Sequence, residues 1–146
     1  MKKLALTALR VLLGAAFVVS GGLKLLAPSE EFLAAIHGFE LIRGPGAQTL
    51  SVALPWAEFV FGVLLMLGLW TEISGALLWI LNSVFIAALS SVLIRKIPMG
   101  DCGCFGKGIS LPVSSTLLLD TAIWMAFFIF WSRSRRQEAF SLDKIF

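Results

Sequence analysis

Apolar residues run through this chain in long blocks separated by short polar punctuation, rather than alternating residue by residue or recurring on one face only. The blocks cover residues 4–27, 49–70, 73–94 and 113–131. The first is interrupted only by Arg10 and Lys24 and is stopped by Pro28. Each block suits the roughly 20 residues with which an α-helix crosses a hydrocarbon core about 30 Å thick. The pattern therefore predicts an all-α membrane protein, a four-transmembrane-helix bundle forming a single domain over residues 1–132. Only Thr71 and Glu72 part the second and third blocks, which predicts a tight antiparallel hairpin with Trp70 at a membrane interface.

The connections carry pattern of their own. After Pro28, Ser29 is a candidate N-cap, Glu30 and Glu31 occupy a first turn, and Phe32, Leu33, Ile36 and Phe39 recur at helical spacing. A short interfacial helix is expected there, before Gly38, Gly44, Pro45 and Gly46 punctuate the return to the second span. The connection from about residue 95 to 112 is instead broken up by Pro98, Gly100, Gly103, Gly106 and Gly108. Residues 133–146 form a basic, polar tail.

Composition removes whole classes of function. Hydrophobic residues make up 58% of the 146 and charged residues 14%, with a mean hydropathy of +0.92, well outside the range of soluble domains. No polar, turn-punctuated stretch is long enough for a soluble catalytic domain. Gly106 and Lys107 do not make a phosphate loop, because Asp101 and Gly108 stand where that motif needs Gly and Ser or Thr. The net charge of +3 is concentrated at the chain ends, as membrane flanks require, and not on a nucleic-acid-binding face.

The same charges suggest an orientation. Arg133, Arg135 and Arg136 directly flank the fourth span, and Lys2 and Lys3 precede the first. Both termini are therefore expected in the cytoplasm and both longer connections on the outer face of a bacterial inner membrane, where disulfides persist. The first block is too long for a signal-peptide core, carries Arg10 and lacks a small-x-small cleavage site, so it is expected to stay as a span.

The sharpest chemical feature is Asp101-Cys102-Gly103-Cys104-Phe105-Gly106, which holds both cysteines of the chain. Thiols one residue apart close a small-ring disulfide only with local strain, and strained disulfides are readily reduced. Closing almost no loop, such a bond contributes little to folding. The pair is suited to exchanging electrons with an external partner, since the chain offers no second cysteine pair as a relay. Two other readings stand beside this one. Cys102 and Cys104, with Asp101 and, as a further candidate ligand, His37, the sole histidine, offer a soft-metal site for copper or mercury, though too few ligands for a closed structural zinc site. The cysteines can also be incidental to an assembly subunit that docks a soluble oxidoreductase.

Ionisable residues inside spans are costly and mark function or a specific partner. Glu58 in the second span and Asp120 in the fourth both lie roughly 10 to 14 Å below the outer face at about 1.5 Å per residue, and Lys24 approaches the same face. One reading is a polar pocket of Lys24, Glu58 and Asp120 that binds a quinone carbonyl or accepts protons; the other is a Lys24–Glu58 ion pair that fixes helix packing. Arg10 lies nearer the opposite side, where a long side chain can snorkel. Gly14, Gly21, Gly22 and Gly62 read as packing positions, and Pro55 as a bend in the second span.

The order of these features resembles the MauE branch of the DoxX-like membrane proteins. The resemblance rests on Arg10, Ser20-Gly21-Gly22-Leu23-Lys24, Leu54-Pro55-Trp56-Ala57-Glu58, Leu67-Gly68-Leu69-Trp70-Thr71 and above all the cysteine hexapeptide. It implies a four-helix bundle in the bacterial inner membrane that supports disulfide formation or maturation of a client beside a thioredoxin-like periplasmic partner. The broader group implies a link to sulfur-compound oxidation and membrane quinone. The chain departs from the pattern at Leu119, where many relatives carry an arginine before the acid of the fourth span.

Overall fold

A computed structural model describes residues 2–42, 44–97 and 112–134. The described residues form five α-helices and the turns between them, with no strand among them: α1 (Lys2–Leu26), α2 (Ser29–Gly38), α3 (Pro45–Leu67), α4 (Thr71–Arg95) and α5 (Val113–Ser134). Four of these, over Leu4–Leu26, Pro45–Leu67, Thr71–Arg95 and Val113–Arg133, are long and apolar enough to cross a membrane. The chain is a multi-pass membrane protein, and α2 is the short helix expected between the first two spans.

Helix ends differ from the expected bounds for identifiable reasons. The second span starts at Pro45, where proline takes the first helical turn and Gly44, at φ +75°, makes the entry. It stops at Leu67 because Gly68 adopts φ +77°, which brings Leu69 N–H to Leu64 O at 2.9 Å and Gly68 N–H to Leu65 O at 3.2 Å. The hairpin turn is thus residues 68–70, and Thr71 and Glu72 belong to α4, whose N-terminal dipole Glu72 complements. Trp70 is 66% exposed at this turn. Ser29 is the first residue of α2 rather than its cap; Pro28 holds the capping position, with no side-chain cap.

The spans run alternately up and down in a ring, α1 beside α3, α3 beside α4, α4 beside α5, and α5 closing back on α1. The α1–α3 seam is the tightest. A Cβ on Gly14 would stand 2.7 Å from Gly62 O, and one on Gly21 would stand 2.8 Å from Pro55 O. Only glycine permits this approach, which replaces the hydrophobic drive that lipid does not supply with backbone contact. The central core is Leu6, Leu13, Phe17, Leu65, Leu78, Phe127 and Phe130, and large apolar residues such as Leu4, Ile80 and Leu118 face outward.

Helix α2 covers the end of the bundle from which α1 leaves and α3 enters. Phe32 and Ile36 pack onto Ala47, Leu50, Leu54 and Phe85, and Phe39 packs between Leu89, Val92 and Val113. Arg95, at the end of α4, donates to Phe39 O at 3.2 Å and pairs with Glu40 at 2.9 Å. Arg10 does not snorkel: it is 6% exposed, and its guanidinium lies against Gly68 so closely that any Cβ there would collide with it. A fixed cation at the C-terminal end of α3 complements the helix dipole.

Candidate functional site

The last turn of α1 places Lys24 opposite Glu58 on α3. Nζ stands 2.6 Å from Oε1 and 2.8 Å from Oε2, and both side chains are 1% exposed. One turn earlier on α1, Ser20 Oγ donates to Glu58 Oε2 at 3.1 Å. Glu58 thereby accepts from a cation and a hydroxyl on one helix face, and Gly21 between them lets α3 come close enough for both bonds. The ammonium also lies 5.1 Å from the ring centroid of Phe32 and 4.8 Å from that of Phe85, so α2 and α4 cover it with aromatic faces. A pair buried this fully holds only while both charges are present, because each alone would carry several kcal/mol of desolvation cost.

Beside the pair lies a cavity of about 350 Å³. Its lining is overwhelmingly apolar, including Phe17, Phe85 and Leu119, with small polar contributions among Lys24 and Ser20 from α1, Glu58 from α3, Asn82 from α4 and Asp120 from α5. Asn82, 1% exposed, donates Nδ2–H to the backbone carbonyl of Asp120 at 2.9 Å, which ties α4 to α5 at the cavity. Because α3 starts at Pro45, Glu58 is about one turn further from its helix start than the apolar run suggests. It nonetheless lines the same space as Asp120.

Lys24, Glu58 and Asp120 therefore line one cavity; the ion pair is formed, and the space beside it is mostly apolar rather than the polar pocket of the other reading. Asp101, Cys102, Cys104 and Lys107 lie outside the described residues. The end of α4 and the start of α5 lie at the end of the bundle covered by α2. His37 is exposed on α2. Among the described residues no three of His, Cys, Asp or Glu gather as a metal site. Sequence reasoning missed Asn82, Phe32 and Phe85. Asn82 carried a usable signal, as the only asparagine of the chain, set within an apolar run.

This arrangement defines a class: a four-span helical membrane protein with a buried ion pair beside an intramembrane cavity. The chain belongs to the MauE family, whose model, described as methylamine utilisation protein MauE, matches residues 2–133. It is 31% identical over 126 residues to the methylamine utilization protein MauE of Paracoccus denitrificans, a match covering 84% of this chain and 66% of that relative, just under two thirds of its length. No solved structure matches.

Proposed function

We propose that this protein is a thiol–disulfide redox protein of the bacterial inner membrane that serves the maturation of client proteins, with methylamine utilisation, named for its relatives, as the setting. Cys102 and Cys104 cycle between dithiol and disulfide on the periplasmic side and exchange electrons with a thioredoxin-like partner. The observation that carries this reading is the Cys-Gly-Cys spacing itself, an adjacent pair too close to serve as a staple. The cavity supplies a place for the second half of the cycle. Lys24, Glu58 and Asp120 would line the site of a quinone there, which would supply the two-electron, two-proton acceptor needed when the two thiols become one disulfide. The reverse flow reduces the disulfide at the expense of quinol.

The test is the redox state of Cys102 and Cys104 in intact membranes, read by thiol alkylation and mass spectrometry against dithiol buffers of known potential. A reversible two-electron transition between roughly −100 and −250 mV is expected, the range of catalytic disulfides. Thiols that never join under oxidising conditions overturn the cycle and leave soft-metal capture, or a purely assembling role, as the function.

A further inference from the structure

The cavity has a closed side and an open side. Toward the end covered by α2 it is closed: Lys24 is 4% exposed beneath Phe32, itself 4% exposed. Three residues that line the cavity are also exposed to the surroundings, Leu12 at 68%, Val19 at 55% and Leu119 at 40%. A side chain that both lines a cavity and faces outward marks its mouth. Leu12 and Val19 lie on α1 and Leu119 on α5, all within membrane-spanning segments, so the mouth opens into hydrocarbon.

We infer that the cavity is a lateral binding site, entered from the bilayer between α1 and α5 past Leu12, Val19 and Leu119, that takes a single-tailed lipid-soluble molecule with its polar head inward. The inference rests on the reading of the cavity as a binding site. The wall matches such a ligand. A volume of about 350 Å³, on the order of twelve water volumes, holds one ring-sized head and the first carbons of a tail, not two acyl chains. At the inner wall, Asn82 donates one N–H to Asp120 O and keeps a second, while the Lys24 ammonium is engaged by Glu58 and the Phe32 and Phe85 rings. That amide stands on α4, suited to a head with a carbonyl acceptor, such as a quinone ring. The mouth carries only leucine and valine, so a tail can remain there without desolvating any polar group.

The test uses the full chain in lipid nanodiscs and a benzoquinone head on a decyl tail that bears a diazirine, with decyl-benzoquinone as competitor. Saturable labelling is expected on α1 and α5. Leu119→Trp, which fills the mouth, is expected to lower it about tenfold, equivalent to about 1.4 kcal/mol, and Leu12→Trp on the opposite side of the mouth to do the same. Leu118→Trp, on a residue 73% exposed and outside the cavity lining, is expected to leave labelling unchanged. Saturable labelling that maps to α3 or α4, or that is indifferent to both mouth variants, overturns the lateral route and spares the binding site. Absence of saturable labelling overturns the binding site and the route together.

Discussion

One helix, α1, shows two opposite ways of meeting a neighbour. Toward α3 it presents Gly14 and Gly21, and backbone lies against backbone so tightly that an added Cβ would fall under 3 Å from Gly62 O and Pro55 O. Toward α5 it presents Leu12, Ala15, Ala16 and Val19, and a cavity intervenes. Contact on that side is carried at one level by Phe17 and Phe127, with ring centroids 6.0 Å apart. Lipid is as apolar as leucine, so helices in a bilayer hold together by close approach and polar pairing. The α1–α3 seam has both, the glycines and the Lys24–Glu58 pair; the α1–α5 side has little of either. A seam with both devices is a fixed wall, and a side without them is where a membrane protein can leave room for a ligand.

The severest way to break the comparison is Gly21→Leu. Its Cβ would meet Phe59 N and Pro55 O, each at 2.8 Å, and backbone cannot step aside as a flexible side chain can. Loss of folded, monodisperse protein in size-exclusion chromatography is expected. Gly22→Ala meets nothing nearer than 3.9 Å and is expected to fold normally, with up to about 1 kcal/mol gained from helix propensity. Equal tolerance of both changes would show that close approach does not hold this seam.

Next in size is the ion pair. Glu58→Leu strands a buried ammonium and is expected to cost about 3–5 kcal/mol in a denaturant titration. Combining it with Lys24→Met removes both charges and is expected to restore most of that loss. The double variant also separates structure from function: it is expected to fold and yet to lose the quinone-headed probe, because the charged pair is gone from the cavity's inner wall. Retained binding in the folded double variant would assign the pair to packing alone.

Smaller effects follow on the side with the cavity and at the surface. Asn82→Leu removes the amide bond to Asp120 O and is expected to cost about 0.6–1.7 kcal/mol, the range for interhelical hydrogen bonds in membranes, with weaker probe labelling as a second readout. Arg95→Gln breaks a pair whose side chains are 42% and 44% exposed. Thermal unfolding at low and high salt is expected to show less than about 1 kcal/mol, shrinking as salt rises.

Much of the fold was legible because its causes are local. Four apolar runs of membrane-spanning length announce four spans whatever they pack against, and the helical spacing of Phe32, Ile36 and Phe39 announced α2. The boundaries that shifted did so at residues with special backbone behaviour: Gly68 ended α3 before Thr71, and Pro45 with Gly44 started it before Thr49. Within the site, Lys24, Glu58 and Asp120 stood out because charge inside an apolar run is costly. Phe32 and Phe85 did not stand out, since a phenylalanine facing a cation is indistinguishable in sequence from one facing lipid. Arg10 was noticed, but its place against Gly68 depends on how α1 and α3 align, which composition does not encode.

The sequence by itself determined that this chain crosses a membrane, where its helices run, that a short helix lies between the first two, and which side chains were too costly to bury without a purpose. These follow from hydrocarbon thickness, helical rise and the solvation of charge, all of which act residue by residue. Tertiary structure alone decided that Lys24 is covered by two aromatic rings, that Asn82 ties α4 to α5 beside Asp120, and that the space among them opens between α1 and α5. Those outcomes depend on the rotation and register of each helix against its neighbours, and glycines placed on one face of α1 and absent from the other set both.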